Sequence, residues 1–304
     1  MKVLLIDIDS KIPNLALKKI EKYYLDKGDK IIWNMPIMRD ICDKVYVSCV
    51  FDWNRKQAEQ WEGLAEIGGS GWDLITKLPP EIEMVKPRIN WGFTTRGCIR
   101  NCEFCIVPQK EGNIRIEGDI YDIWDRKSKK IIIMDNNILA MPKHFKKICS
   151  QIYKEKLKVD FNQGLDLRLL NDELIKELKT ISHEEYKFSW DLDDDSFVEK
   201  LKWLYNHLKR CTIFVLCGFL PFEKILWKLN IIRDIGHNGY VMRYRNVYKE
   251  KKYILLARWV NQHHIFQTHA YEEFIEKDSK YYHPNDYLEK PRHFTNRNKC
   301  NCQE

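Results

Sequence analysis

Three cysteines lie close together in the segment RGCIRNCEFCIVP, residues 96–108 of the chain. Cys98, Cys102 and Cys105 are spaced C-x3-C-x2-C. A structural zinc site takes four protein ligands and a catalytic one commonly uses histidine, but no histidine occurs before His144. Three thiolates can instead hold three irons of a 4Fe-4S cluster and leave the fourth iron open to an exogenous ligand. The spacing therefore predicts an iron–sulfur site that also binds a second molecule.

The chain around these cysteines alternates short apolar strands with amphipathic helices, which predicts the α/β fold class. Residues 1–82 are predicted to form a small Rossmann-like parallel domain, and the proline-containing segment 77–88 is interpreted as a linker. A second alternation over residues 83–270 predicts a partial (β/α)6 barrel of the TIM type, and residues 271–304 are expected to form a polar tail. Because chemistry in such barrels collects at the carboxyl ends of strands, the cysteine segment lies where an active site belongs.

The motif C-x3-C-x-aromatic-C, with Phe104 in the aromatic position, resembles that of the radical S-adenosylmethionine (radical SAM) superfamily. The resemblance implies that Cys98, Cys102 and Cys105 hold a 4Fe-4S cluster whose open iron is chelated by SAM. It further implies an enzyme that cleaves SAM reductively into methionine and a 5′-deoxyadenosyl radical, which abstracts a hydrogen atom from a substrate. An electron donor such as flavodoxin or ferredoxin would reduce the cluster.

Residues at the ends of the predicted strands would bind SAM in this resemblance. Besides Phe104, these are Asp135, Asn136, Asn137, Gln163, Asp166, Arg168, Gly218, Met242 and Tyr244. The Asp-Asn-Asn sequence replaces the common Gly-Gly-Glu, and its side-chain oxygens can still accept hydrogen bonds from the amino group of SAM. Arg168 is predicted to hold the carboxylate, Gln163 or Asp166 the ribose hydroxyls, and the last three residues the adenine. The alternative for each residue is an ordinary turn or a helix cap, as interpreted for Asn171.

The first domain resembles the cobalamin-binding domain of B12-dependent radical SAM enzymes, because the segment EIGGSGWD, residues 66–73, is similar to their Gly-Gly turn. A cobalamin-dependent methyltransferase is therefore an alternative, although this domain has no histidine to ligate cobalt. It is equally interpreted as a degenerate relic that shapes the substrate pocket. The methylthiotransferases have a similar barrel, but they carry three more cluster cysteines where this chain has only Cys42 and Cys49. That count disfavours their chemistry.

Two further cysteines, Cys300 and Cys302, lie in the polar tail and could ligate an auxiliary cluster together with a residue such as His293. Two thiols are fewer than a zinc ion or a cluster needs, so a frayed chain end is the competing interpretation. Cys149, Cys211 and Cys217 lie in apolar surroundings and are predicted to be small buried side chains.

The 304-residue chain has a formal net charge of +7, which is compatible with an anionic partner or simply with a lysine-rich solvated surface. A nucleotide or RNA substrate is favoured, with base stacking on rings such as Trp91, Trp190 or Tyr244, and a peptide substrate fits nearly as well. A non-catalytic nucleic-acid-binding protein on the same scaffold is the alternative of another class. The chain has no apolar run of about 20 residues and no signal-peptide pattern, which predicts a cytoplasmic protein without membrane association.

Overall fold

The computed structural model describes residues 1–278 of the chain. It confirms a mixed α/β fold with several parallel sheets. The described chain divides into two compact units, the first formed by residues 1–92 with 121–125 and the second by residues 93–120 with 126–278. Within the described residues, no helix is both long and apolar enough to cross a membrane.

The first unit is a four-stranded parallel sheet in the order β2-β1-β3-β4. Its elements are β1 (Lys2–Asp7), α1 (Leu15–Asp26), β2 (Lys30–Trp33), β3 (Lys44–Ser48), α2 (Arg55–Glu59), β4 (Glu66–Gly68), α3 (Pro80–Glu83) and β5 (Trp91–Gly92). Alternate residues of β1 point to opposite faces, so Leu5 packs toward α1 while Leu4 packs on the other face. Asn14 caps α1 by accepting a hydrogen bond from the Leu17 amide at 3.1 Å.

One local expectation for this unit is wrong. The segment 77–88 is not a simple linker, because α3 lies within it and the Ile82 side chain is buried in the same core cluster as Leu5 and Leu17. Helix α2 has only five residues, and turns follow it to the left-handed residue Gly63. Ile82 shows that a proline-rich segment can still be anchored by one apolar side chain.

The second unit carries most of the helices. Its elements are β6 (Thr95–Arg96), α4 (Val107–Lys110), β7 (Arg115–Ile116), β8 (Lys130–Ile133), α6 (Pro142–Lys154), β9 (Lys158–Phe161), α7 (Asp172–Thr180), β10 (Ser182–His183), β11 (Lys187–Ser189), α8 (Phe197–Leu208), β12 (Thr212–Cys217), α9 (Phe222–Ile235), β13 (Asn238–Arg243), α10 (Lys251–Val260), α11 (His263–Thr268) and α12 (Tyr271–Asp278), while α5 (Ile120–Ile123) is cut by the division between the units. The N-cap prediction for α7 is confirmed, because Asn171 accepts hydrogen bonds from the Glu173 and Leu174 amides at 3.1 and 2.9 Å.

Besides the antiparallel pair of β6 and β7, the strands of the second unit form two parallel sheets rather than one continuous sheet. One contains β8, β9 and β10, the other contains β11, β12 and β13, and a single parallel bridge joins Leu165 to Phe188 between them. Strands β8 and β9 end at Ile133 and Phe161, and turns follow both. The polar residues predicted for SAM binding after these strands therefore lie on loops, where their side chains are not constrained by the pleat.

Candidate functional site

The cysteine loop, residues 97–114, projects from a short antiparallel ladder in which Thr95 pairs with Ile116 and Arg96 with Arg115. At its base Gly97 has a φ of +80°, and a Cβ there would lie 2.4 Å from the Asn113 carbonyl oxygen. The Cys98 amide donates a hydrogen bond to the Gly112 carbonyl at 3.2 Å. The two ends of the loop are therefore in backbone contact, and only glycine fits at its first position.

Glu111, which lies within the cysteine loop, also binds the two ends of that loop together. Its carboxylate accepts hydrogen bonds from Arg96 Nη1 at 2.6 Å, the Gly97 amide at 3.0 Å and Asn136 Nδ2 at 2.7 Å. Only 7% of the Glu111 side chain is exposed. The carboxylate thus joins the ladder, the first residue of the loop and the loop that follows β8.

The three thiols are half-buried. Burial raises the pKa of Cys102, the neighbouring Cys105 and Cys98 raise it further, and Arg168 opposes them. The Cys98 Sγ accepts hydrogen bonds from the Arg100 amide at 3.3 Å and from Asn137 Nδ2 at 3.6 Å. Within residues 1–278, no three His, Cys, Asp or Glu side chains are already grouped tightly enough to hold a metal ion. The donor chemistry, three thiols on one loop with positive charge nearby, fits a cluster bound by three thiolates.

Asp166 connects the cysteine loop to the turns after β9. It accepts hydrogen bonds from Arg100 Nε at 3.2 Å, from Arg168 Nε and Nη2 at 2.6 and 3.0 Å, and from Asn137 Nδ2 at 3.1 Å. Burial alone would raise the pKa of Asp166, but the hydrogen bonds and charges of the two arginines hold it below its usual range. Two guanidinium groups share this one carboxylate, and one of them, that of Arg168, opposes the rise in the pKa of Cys102.

Two buried amide oxygens at these strand ends have no hydrogen-bond partner among residues 1–278. They are Asn137 Oδ1 and Gln163 Oε1. Asn137 is 3% exposed, and its nitrogen is already committed to Asp166 and Cys98. A buried acceptor without a donor costs about 1–3 kcal/mol, so both oxygens favour a ligand that supplies N–H or O–H groups.

Asp135 is placed differently from the two asparagines that follow it. It is buried and accepts hydrogen bonds from the Thr94 amide at 2.6 Å and from Thr94 Oγ1 at 2.5 Å. Burial raises its pKa to about 6 despite these bonds. Both oxygens of Asp135 thus accept hydrogen bonds from Thr94, which lies before the cysteine loop. Of the three residues Asp135, Asn136 and Asn137, only the two asparagines contact polar groups of the loop.

An aromatic series links the cysteine loop to the ends of β12 and β13. The Phe104 and Phe219 ring centroids are 5.3 Å apart, and those of Phe219 and Tyr244 are 4.6 Å apart. The φ of Gly218 is +122°, and a Cβ there would lie 2.4 Å from Asn246 Oδ1. The structure therefore brings the predicted residues Phe104, Gly218 and Tyr244 into one neighbourhood.

Met242, predicted to contact adenine, and Trp91 and Trp190, predicted to stack on bases, are less well placed to contact a ligand. Met242 lies within β13, opposite Leu216 in the strand register. Trp190 is fully buried and donates its indole N–H to the Asp194 carbonyl at 3.1 Å, and Trp91 is 9% exposed. Stacking of a base on Trp91 or Trp190 was the wrong expectation, because both rings are already packed inside the protein.

Three residues in this neighbourhood were missed by the sequence reasoning: Arg100, Glu111 and Asp191. Arg100 could have been noticed because it lies between two of the cysteines. Asp191 follows β11 and accepts a hydrogen bond from the Leu216 amide at 2.8 Å. Burial raises the pKa of Asp191 to about 6, the charge of Arg168 opposes this rise, and Cys105 adds to it. Its position after a strand was a usable signal, whereas nothing in the local sequence marks Glu111.

The glycine turn of the first unit has a structural explanation. A Cβ at Gly69 would lie 2.2 Å from the Cys49 carbonyl oxygen, and one at Gly71 would lie 2.3 Å from the Phe51 carbonyl carbon. The turn is thus glycine-rich because it packs directly on neighbouring backbone. This unit also has a cleft of about 750 Å³, and its lining does not include the glycines: Ile6, Asp7, Ile8, Asn34, Pro36, Arg39, Gln57, Gln60, Trp61 and Leu64. Cobalamin binding by this unit stays a prediction from the resemblance alone.

Cys300, Cys302 and His293, the residues considered for an auxiliary cluster, lie outside the described residues. Comparison with known proteins adds no family assignment: no family model matches the chain, and no curated protein matches it.

Proposed function

We propose that the protein is a radical SAM enzyme that uses a 4Fe-4S cluster to cleave SAM and abstract a hydrogen atom from a substrate. One observation supports this proposal most: the cysteine loop is tied by hydrogen bonds to the polar residues that follow two neighbouring parallel strands. Cys98 contacts Asn137 after β8, and Arg100 contacts Asp166 after β9. A three-cysteine loop and strand-end ligands at one edge of a parallel sheet are the components such a site requires.

The parallel strands of the second unit are compatible with the predicted partial (β/α)6 barrel. Strands β8 and β9 pair in parallel, β11, β12 and β13 pair in parallel in chain order, and the bridge from Leu165 to Phe188 joins the two sets. A barrel of this type places its chemistry at the carboxyl ends of the strands. Every strand-end residue in the proposed site follows one of these strands.

In this proposal Cys98, Cys102 and Cys105 would hold the cluster, which supplies the electron for reductive cleavage of SAM when it is bound. Arg168 already uses Nε and Nη2 for Asp166, so its Nη1 edge would bind the SAM carboxylate. The Asn137 oxygen, which has no hydrogen-bond donor within the described part of the chain, would accept a hydrogen bond from the amino group.

Gln163 rather than Asp166 would bind the ribose hydroxyls. Both oxygens of Asp166 are occupied by arginine and asparagine donors, whereas Gln163 Oε1 is buried and none of the described residues donates a hydrogen bond to it. Phe104 and the exposed ring of Phe219, which is 41% accessible, would cover the adenosyl group and limit access of water to it.

The proposal is tested by anaerobic reconstitution with iron and sulfide, followed by incubation with dithionite and SAM. Wild-type protein should bind about four irons per chain and release 5′-deoxyadenosine and methionine. Cys102→Ala should lose both, while Cys42→Ala, which removes a half-buried thiol of the first unit, should retain both. Full SAM cleavage by Cys102→Ala would refute the site. A wild-type protein that holds the cluster but cleaves no SAM would favour the non-catalytic alternative.

The net charge of +7 makes RNA or a nucleotide the first substrate class to test, with a peptide as the second. Binding of single-stranded RNA should weaken steeply between about 50 and 200 mM salt if phosphate contacts contribute to it. No binding at the lower salt concentration would shift the search to peptides.

A further inference from the structure

Glu111 joins the base of the cysteine loop to a segment distant in the sequence, because its one carboxylate accepts hydrogen bonds from the consecutive residues Arg96 and Gly97 and from Asn136. Arg96 belongs to β6, Gly97 begins the cysteine loop, and Asn136 follows β8. Glu111 itself follows α4, inside the cysteine loop. The Glu111 side chain is nearly buried, so its hydrogen bonds with these donors are shielded from water and are stronger than they would be on an open surface.

The chemistry of a carboxylate fixes how Asn136 is oriented. An ionised carboxylate only accepts hydrogen bonds, so the Asn136 amide must turn its NH2 group toward Glu111 and its oxygen away. The neighbouring Asn137 amide is oriented in the same way, because its NH2 group donates a hydrogen bond to the Asp166 carboxylate. Two amide oxygens are therefore turned away from their carboxylates at one strand end, which suits a cationic amino group and disfavours an anion.

We infer that Glu111 is a positioning residue: it orients the Asn136 amide so that its oxygen accepts the ligand's amino group, and it closes the base of the cysteine loop. This inference rests on the proposed function, because the ligand in question is SAM. A glutamine at position 111 would have the same shape, but its own NH2 group would face the Gly97 and Asn136 donors or the Arg96 guanidinium. Asn136 would then no longer have one preferred orientation.

The test compares Glu111→Gln with Glu103→Gln, which makes the same change at an exposed position of the same loop. The first measurement is amide hydrogen exchange of the metal-free proteins. Glu111→Gln should lose protection at Gly97 and through residues 97–114, while the strands β8 and β9 keep theirs. Glu103→Gln should match the wild type throughout.

The second measurement is equilibrium binding of SAM to the reconstituted proteins, with iron content determined on the same samples. Glu111→Gln should retain iron and bind SAM at least about tenfold more weakly, since a hydrogen bond to a charged group is lost. In a background of Asn136→Ala the Glu111→Gln change should have almost no further effect on SAM affinity, because the two residues act as one unit. A merely structural role would instead weaken binding equally in both backgrounds.

The outcomes separate this inference from the proposed function. Wild-type protein that takes up iron but binds no SAM would refute both. Wild-type protein that binds SAM, with Glu111→Gln binding it as tightly as Glu103→Gln does, would refute the inference alone. Unchanged hydrogen exchange in Glu111→Gln would refute the loop-closing role whatever the SAM measurements show.

Discussion

Replacing Asp166 by asparagine keeps the shape of the side chain and removes the charge that joins the cysteine loop to the turns after β9. The Oδ2 atom of Asp166 accepts hydrogen bonds from Arg100 Nε, Asn137 Nδ2 and Arg168 Nη2, at 3.2, 3.1 and 3.0 Å. The Oδ1 atom accepts from the Nε and the backbone amide of Arg168, at 2.6 and 3.2 Å. In either orientation, the amide nitrogen of an asparagine would therefore face donors rather than acceptors.

The structure also sets the size of the expected effect. Each buried donor left without an acceptor costs about 1–3 kcal/mol, and the arginines contribute less because 33% and 28% of their side chains are exposed. We expect Asp166→Asn to lower the free energy of unfolding at pH 7 by about 3 kcal/mol. Since the native pKa of Asp166 lies below its usual range, the wild-type advantage should be complete above about pH 4 and disappear as the pH falls through that lower pKa.

Asp160→Asn is the matched control, because it makes the same change in another buried ion pair. Asp160 lies 2.6 Å from Lys187, and the two side chains are 16% and 4% exposed. Urea unfolding followed by tryptophan fluorescence should show a loss of stability in both variants. Equilibrium dialysis of the reconstituted proteins should show SAM binding at least about tenfold weaker in Asp166→Asn and unchanged in Asp160→Asn. A stability loss under about 1 kcal/mol, or equal SAM affinity in the two variants, would contradict the reasoning.

Three further changes test separate parts of the structure. Gly97→Ala should abolish most iron uptake because its Cβ would collide with a carbonyl oxygen, whereas Gly112→Ala, with open space around it, should retain iron and cost about 1 kcal/mol of strain at its positive φ. As the pH rises from about 4 to about 6, the free energy of unfolding of the wild type should fall by about 3 kcal/mol relative to that of Asp135→Asn. The reason is that a carboxyl whose native pKa is raised to about 6 stabilises the fold only while it is protonated. If the urea unfolding curves of the two proteins stay parallel across that range, the prediction is contradicted. Asn171→Ala should lower the free energy of unfolding by about 1 kcal/mol through loss of the α7 cap, and thermal unfolding that matches the wild type would show that the cap is not needed.

Local patterns in the sequence were enough to predict the α/β class, the cysteine loop and the cap of α7. Each of these depends on residues a few positions apart: the spacing of Cys98, Cys102 and Cys105, the alternation of apolar runs, and the Asn171 side chain reaching the Leu174 amide. Strand ends were also recognisable, and Asn137, Asp166 and Arg168 do contact one another or the cysteine loop. Short-range geometry is set by helix and strand periodicity, which the sequence displays directly.

The partners of the site residues were decided only by the tertiary structure. Arg100 and Asp166 are 66 residues apart in the chain, Thr94 and Asp135 are 41 apart, and Glu111 and Asn136 are 25 apart. No periodicity connects residues at such separations, since each contact depends on which strands become neighbours and where each strand ends. The sequence alone therefore determined which chemical groups are present near the cysteines, and the fold determined that Asp135 turns inward to Thr94 while Asn136 and Asn137 contact the loop's polar groups. The physical reason is that a buried carboxylate must find donors, and only the folded chain decides which donors are within reach.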